Sequence, residues 1–93
     1  NPEDEQGLYL LAQSYAQFGR YEESAERFKQ LLALTGPNPD VLVGYVDSRA
    51  MADGQTFSRE LADMLSQAIE LDPQHISALW LGGLAEQQLG DPE

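Results

Sequence analysis

Three stretches of this chain carry side chains of the kinds that proteins use to hold other proteins. Tyr, Trp and Met are enriched at binding surfaces, and the amide group of Gln both donates and accepts hydrogen bonds. In each stretch, apolar residues recur at helical spacing and leave one helix face free. The residues on the three free faces are Tyr9, Gln13, Ala16 and Gln17, then Val43, Asp47, Ala50 and Met51, and then Trp80, Leu84, Gln87 and Gln88. These residue types predict noncovalent recognition, with Asp47 as the one acidic group.

The sequence contains no set of residues suited to catalysis or to metal binding. No Ser has a base near it, and no apolar run contains two carboxylates. The chain has no cysteine, so cysteine metal sites and thiolate catalysis are excluded. His75 is the single histidine, and without a second His or a Cys we expect a solvated turn residue. We therefore predict a protein that is not an enzyme and that needs no cofactor or metal.

Composition limits the partners that the chain can bind. Its 93 residues make one domain at most, with 16 acidic and 5 basic side chains and a formal net charge of -11. Such an acidic surface repels nucleic acid and anionic lipid headgroups, so neither is an expected partner. It favours neutral or basic partners instead. No run of about 18 apolar residues is present, so no contact with a membrane is expected from this chain.

The beginning of the sequence suggests a piece of a longer protein. The chain starts at Asn1-Pro2 without an initiating Met. No basic segment precedes an apolar one, as a signal peptide would require. We expect any targeting or anchoring segment to lie outside this sequence.

Five helices are predicted from capping residues and apolar periodicity, and no period-two alternation indicates a strand. Gly19 should end the first helix in a left-handed turn, and Pro2 suits its start. Asn38 followed by Pro39 favours the start of the third helix, and Ser58 is a candidate cap of the fourth. The expected helices cover residues 3–18 or 5–18, 21–34, 39–53, 57–71 and 75–89.

The predicted core consists of one apolar stripe on each helix. Aromatic residues at helical spacing usually belong to such a core. Tyr9 and Trp80 are expected on the free faces instead. For Met51, a place in the core and a place on the free face are equally expected. The stripes of the first, second and fourth helices are Leu8, Leu11, Ala12 and Tyr15; Ala25, Phe28, Leu31 and Leu32; and Leu61, Leu65, Ala68 and Ile69. The third helix carries Leu42, Tyr45, Val46 and Ala50 on one side, together with Arg49.

The chain repeats itself with a period close to 34 residues. Leu8 and Leu42 are 34 residues apart, whereas Leu42 and Leu79 are 37 apart. We place the three additional residues in a lengthened loop at 54–58, since the register after that loop is regular again. The predicted units are a first repeat at about 5–38, a second at about 39–75 and a partial third at about 76–93.

The third unit stops after its first helix, so that helix lacks its usual partner. Its apolar residues are more than one buried stripe can accommodate, namely Ile76, Leu79, Trp80, Leu81, Leu84 and Leu89. The end of a repeat protein normally needs a polar cap. We therefore expect either self-association through this fifth helix or a reduced stability.

This pattern resembles the tetratricopeptide repeat over nearly the whole chain. The matching positions are Leu8, Leu11, Ala12, Tyr15, Gly19, Tyr21, Phe28 and Leu34; Leu42, Tyr45, Gly54, Leu61, Leu65, Ala68, Leu71 and Pro73; and Leu79, Gly82, Gly83, Ala85 and Gly90. The resemblance implies an all-α solenoid of antiparallel helix pairs, with two full repeats and the first helix of a third, in a right-handed superhelix. It also implies a concave side that is lined by the first helix of each pair, which is where the three free faces lie.

Within that superfamily, the chain is similar to cytochrome c maturation proteins of the CycH/CcmI and NrfG type. The similar segments are residues 8–15, 18–24, 51–54 with the loop that follows, 68–75 and 78–85. The resemblance implies a periplasmic domain behind a membrane anchor. It further implies an apocytochrome c chaperone that grips a helix near the C-terminus of its client and presents it to other haem-ligation subunits.

Two alternatives lead to different functions. A generic scaffold would join subunits of a complex through the exposed fifth helix. A module for the acidic tail of a chaperone would need Lys, Arg and Asn in the groove to bind carboxylates, and no cation stands at the groove positions. An apolar and amide-rich groove fits an amphipathic helix better.

Overall fold

Five α-helices account for most of the computed structural model, which describes residues 4–90. They are α1 (Glu5–Gln17), α2 (Tyr21–Thr35), α3 (Pro39–Ala52), α4 (Arg59–Leu71) and α5 (Ile76–Gly90), and the described residues include no strand. The predicted all-α class is therefore confirmed. The predictions made for Pro2 and Glu3 concern positions outside the described residues.

The side chains of Asp4, Asn38 and Ser58 cap the starts of α1, α3 and α4. The carboxylate of Asp4 accepts a hydrogen bond from the Gly7 amide at 2.6 Å, and the Ser58 hydroxyl accepts one from Leu61 at 3.2 Å. Asn38 accepts from the two amides that follow Pro39, so the predicted Asn-Pro start is confirmed. Gly19 has a φ of 76°, which is the left-handed turn that the sequence predicted.

Each helix packs against the helices next to it in sequence, and the odd-numbered helices also meet one another. Contacts join α1 to α2, α2 to α3, α3 to α4 and α4 to α5. Further contacts join α1 to α3 and α3 to α5. The molecule is accordingly elongated, with extents of 47 × 27 × 19 Å. This arrangement places α1, α3 and α5 side by side along one surface and is consistent with a tetratricopeptide-like array of helices.

The core forms two adjoining clusters. The first joins α1, α2 and the start of α3 through Leu8, Ala12, Phe28, Leu31 and Val41. The second joins α3, α4 and α5, and its members are Leu42, Val43, Val46, Ala50, Phe57, Leu61, Ala62, Leu65, Ala68, Ala78 and Ala85. Tyr15, Tyr21 and Tyr45 are only partly buried, and Tyr45 packs against both clusters.

The connection between α3 and α4 is longer than the one between α1 and α2. Residues 53–58 form the former and residues 18–20 the latter. Phe57 was expected to begin the fourth helix, but α4 begins at Arg59 and Phe57 lies in the loop with its side chain buried in the second cluster. Burial of that ring explains why an apolar residue occupies a connection. The boundaries of the repeats themselves stay a prediction.

One face of α5 is apolar and exposed. Ile76 is 82% exposed, Trp80 67% and Leu79 47%. The helix is held to its neighbours by small residues, because Ala78 and Ala85 are fully buried. Gly82 lies so near α4 that an added Cβ would come within 3.2 Å of the Ile69 Cδ1 atom. Ile76, Leu79 and Trp80, three of the apolar residues expected to be in surplus on the fifth helix, are therefore not fully covered by any other part of residues 4–90.

Candidate functional site

The first cavity lies between α1 and α3 and has a volume of about 430 Å³. Its walls combine amide, carboxylate and small apolar groups. The residues that line it are Tyr9, Gln13, Ala16, Gln17, Phe28, Asp40, Val43, Gly44, Asp47, Ser48, His75 and Ser77. We call it the amide cavity, because Gln13 and Gln17 supply its uncharged polar groups.

The second cavity lies between α3 and α5 and has a volume of about 290 Å³. It is the more apolar of the two. The residues that line it are Asp47, Ala50, Met51, Gln55, Phe57, Trp80, Leu81, Leu84 and Gln88. We call it the tryptophan cavity. Since α1, α3 and α5 supply most of the lining of both, the two cavities follow one surface of the molecule.

Asp47 borders both cavities. Its side chain remains exposed to water, but the protein atoms around it remove part of its solvation, and this desolvation raises the pKa of the carboxyl above its ordinary value. No side chain among residues 4–90 donates a hydrogen bond to it. A charged group that is partly desolvated and lacks a partner is a natural contact point for a ligand.

Eleven of the twelve residues predicted on the free faces border these cavities. Those at the amide cavity are Tyr9, Gln13, Ala16, Gln17 and Val43, those at the tryptophan cavity are Ala50, Met51, Trp80, Leu84 and Gln88, and Asp47 borders both. Gln87 borders neither one.

Two predicted side chains have additional packing roles. Val43 is buried in the second core cluster, so it forms the floor of the amide cavity and not an exposed contact. The Tyr9 ring meets the Phe28 ring edge to face, with centroids 5.9 Å apart. Phe28 in turn packs over Gly44, which leaves room for the ring in α3. The width of the amide cavity therefore depends on this contact between α2 and α3.

The expectation of a solvated His75 is wrong. Its side chain is only 15% exposed, and its Nε2 atom lies 2.7 Å from a carboxylate oxygen of Asp40. Its Nδ1 atom accepts a hydrogen bond from the Ala78 amide at 3.2 Å. The Nε2–H group is therefore the donor to Asp40. His75 caps the start of α5 and ties it to the start of α3, and a contact across 35 residues leaves no local sequence signal.

Gln88, which was predicted on the free face of the fifth helix, also has a structural role that the sequence did not predict. Its side-chain oxygen accepts a hydrogen bond from the Phe57 amide, and its side-chain nitrogen donates to the Gln55 carbonyl, each at 3.0 Å. The single amide group thus attaches the loop at 53–58 to α5 and closes one end of the tryptophan cavity.

Replacing Gln88 with Ala is expected to lower the free energy of unfolding by about 1 kcal/mol, because two backbone groups of the loop lose their partner. Hydrogen exchange of the Phe57 amide should become faster, which NMR detects directly. Gln87→Ala, on the exposed surface one residue earlier, is the matched control and should change neither quantity. Equal effects of the two substitutions would show that Gln88 does not anchor the loop.

The cations of the chain lie away from both cavities. All five are in the described residues: Arg20, Arg27, Lys29, Arg49 and Arg59. Arg20 pairs with Glu23, Arg49 with Asp53, and Arg59 approaches Glu86 at 3.8 Å. The lining of the two cavities is consequently acidic or uncharged, apart from the histidine that is bound to Asp40.

Neither a membrane-spanning helix nor a cluster of metal ligands is found among residues 4–90. None of their helices is long and apolar enough to cross a membrane. No group of three or more His, Cys, Asp or Glu side chains in this part of the chain is arranged to hold a metal ion.

Comparison with known proteins finds relatives in one functional system. The cytochrome c-type biogenesis protein CycH of Rhizobium meliloti is 29% identical over 90 residues, which cover 97% of this chain and 24% of that protein. The CycH protein of Pseudomonas aeruginosa is 27% identical over 93 residues, with 97% and 23% covered. No protein-family profile matches the chain. The chain therefore spans about a quarter of the length of these curated relatives and is similar to one region of each.

Proposed function

We propose that this chain is a non-catalytic peptide-binding module that acts in cytochrome c biogenesis. The observation that carries the proposal is the pair of cavities along α1, α3 and α5, on a chain similar over 97% of its length to two CycH proteins. An amphipathic helix placed on this surface would set apolar side chains in the tryptophan cavity and polar ones in the amide cavity.

The client that we propose is an apocytochrome c, held by a helix near its C-terminus. In this role the module would act as a chaperone and present the segment to the other haem-ligation subunits in the periplasm. The biogenesis proteins to which the chain is similar support the system, and the surface chemistry supports a peptide as ligand. Trp80 is the central contact, since it is a large aromatic residue, 67% exposed and bordering the cavity.

Subunit assembly is the second candidate function, and the exposed face of α5 supports it. Ile76 and Leu79 lie outside both cavities, and together with Trp80 they form an apolar face. A second copy of the chain or another subunit would bury this face. Both functions would use Trp80, whereas only subunit assembly would use Ile76 and Leu79, and substitution of these two residues therefore separates the functions.

Titration with a peptide that copies the C-terminal helix of a c-type cytochrome tests the proposed function. We expect a saturable change in Trp80 fluorescence that a scrambled peptide does not produce, because Trp80 is the single Trp of the chain and borders the proposed site. In calorimetry, Trp80→Ala should weaken binding by about tenfold or more, as truncation of a central aromatic contact does.

Phe18→Ala is the matched control, because Phe18 is an aromatic residue 80% exposed that borders neither cavity. It should bind the peptide as the wild type does. Substitution of Ile76 and Leu79 by Ser should also leave binding unchanged. Loss of binding in the Ile76 and Leu79 variant, with Trp80→Ala unaffected, would favour the assembly function and contradict the proposal.

A further inference from the structure

Asp47 is placed where the two cavities meet, and this position suggests what the bound segment must offer. Asp47 shares the lining of the amide cavity with Gln13 and Gln17, and it shares the lining of the tryptophan cavity with Trp80 and Met51. A ligand that fills both cavities must therefore pass over Asp47. The chemistry of its side chain at that point decides whether the carboxylate gains or loses a partner.

No positive charge of the chain itself is available to Asp47. None of the five Lys and Arg residues borders either cavity, and three of them pair with other carboxylates. The second acid of the amide cavity, Asp40, is already bound to His75 at 2.7 Å. Asp47 is thus the one carboxylate in the two linings that has no partner among residues 4–90.

The surroundings of Asp47 suit a long cationic side chain. Ala16, Val43 and Gly44 give the amide cavity an apolar wall along which the methylene groups of a Lys or Arg can lie. The oxygens of Gln13 and Gln17 can accept the N–H groups that the carboxylate leaves free. An apolar side chain at this point would instead remove water from the carboxylate without replacing its hydrogen bonds, which is costly.

The electrostatic field of the whole chain also favours a cationic ligand. With a formal net charge of -11, the chain attracts cationic segments and repels anionic ones. Partial desolvation already disfavours the charged form of Asp47, and a neighbouring cation would restore it.

We propose that the bound segment carries a lysine or arginine whose cationic group pairs with Asp47, next to an apolar side chain that occupies the tryptophan cavity. This inference rests on the proposed peptide-binding function and adds to it the class of peptide that is recognised. Asp47 acts as the specificity-determining residue, and Trp80 and Met51 supply the apolar contact.

Selection from a random peptide library displayed on phage tests the proposal without prior choice of a client. The 93-residue wild-type chain serves as bait, in parallel with Asp47→Asn. Peptides enriched on the wild type should share a Lys or Arg near a large apolar residue, and peptides enriched on Asp47→Asn should lack that basic position. Enrichment without a basic residue would overturn this inference and leave the proposed function standing. If no peptide is enriched, the proposed function and this inference fail together.

Calorimetry with the best enriched peptide measures how much the carboxylate of Asp47 contributes to the binding affinity. Asp47→Asn should weaken binding about tenfold or more, as loss of a hydrogen bond to a charged group does. Asp63→Asn is the matched control, because Asp63 is an exposed acid on α4 that borders neither cavity and its substitution changes the net charge equally. Replacing the basic residue of the peptide with norleucine should remove the difference between the wild type and Asp47→Asn. Equal losses for the two Asp variants would overturn the pairing.

A melting curve distinguishes lost recognition from lost folding. Because burial raises the pKa of Asp47, the folded chain holds the proton more tightly than the unfolded chain, and this group opposes folding at neutral pH. Asp47→Asn should therefore melt no lower than the wild type at pH 7. A lower melting temperature would mean that Asp47 is a structural residue, which would contradict the role assigned here.

Discussion

Gly44→Ala is expected to lower the free energy of unfolding by about 1–3 kcal/mol, the usual cost of overpacking a core. An added Cβ at position 44 would lie 2.5 Å from the Cε1 and Cζ atoms of Phe28, well inside van der Waals contact. Phe28 is 4% exposed and held by Tyr9 on its other side, so the ring cannot move away freely. The substitution forces α2 and α3 apart, although Ala favours the helix more than Gly does.

Gly83→Ala provides the matched control for this effect. Gly83 also lies inside a helix, but nothing would be within 4 Å of its added Cβ. Ala should therefore raise stability there by up to about 1 kcal/mol through helix propensity alone. Urea denaturation of both variants gives the comparison, and we expect opposite signs. A Gly44→Ala chain as stable as Gly83→Ala would show that Phe28 does not pack tightly on α3.

Ser24→Ala is expected to cost about 1–3 kcal/mol, because it leaves a buried hydroxyl without a partner. Ser24 and Ser48 are 0% and 2% exposed, and their Oγ atoms lie 2.8 Å apart. Ser24 donates its one hydrogen to the Ala12 carbonyl, also at 2.8 Å, so Ser48 must be the donor to Ser24. The two hydroxyls thus link α3, α2 and α1 in a single chain of hydrogen bonds.

A double-mutant cycle separates this linkage from simple loss of volume. If both Ser24 and Ser48 become Ala, no hydroxyl is left unpaired, and the double substitution should cost less than the sum of the two single ones. We expect a coupling of about 0.5–2 kcal/mol in chemical denaturation. Ser66→Ala, at an exposed position of α4, should change stability by less than about 0.5 kcal/mol. Additive costs at positions 24 and 48 would rule out the proposed linkage.

The helices could be predicted from sequence where local chemistry determines their ends. Asn38 before a Pro, Ser58 and Gly19 each satisfy or close a helix terminus by themselves, and each has the predicted role in the structure. Phe57 was misplaced because an apolar residue before a helical pattern looks like part of that helix. Its actual position depends on burial against α5 and on the hydrogen bond from its amide to Gln88, which are contacts across about 30 residues.

The candidate site was predicted less completely, for a related reason. Helical periodicity identifies the free faces of α1, α3 and α5, and of the residues predicted there Gln87 alone lies outside both cavities. The Gln88 side chain also binds the Phe57 amide, 31 residues earlier, and helical periodicity gives no signal for such a contact. The bond between His75 and Asp40 likewise joins positions that no periodicity relates.

We propose that the surface along α1, α3 and α5 binds a segment of the client, and amide chemical shifts test this binding most directly. The 15N-labelled chain would be titrated with the peptide that copies the C-terminal helix of a c-type cytochrome. We predict saturable shift changes concentrated at residues of both cavities, including Gln13, Asp47 and the Trp80 indole. Changes confined to Ile76 and Leu79 on the exposed face of α5, or equal changes with the scrambled peptide, would contradict the account.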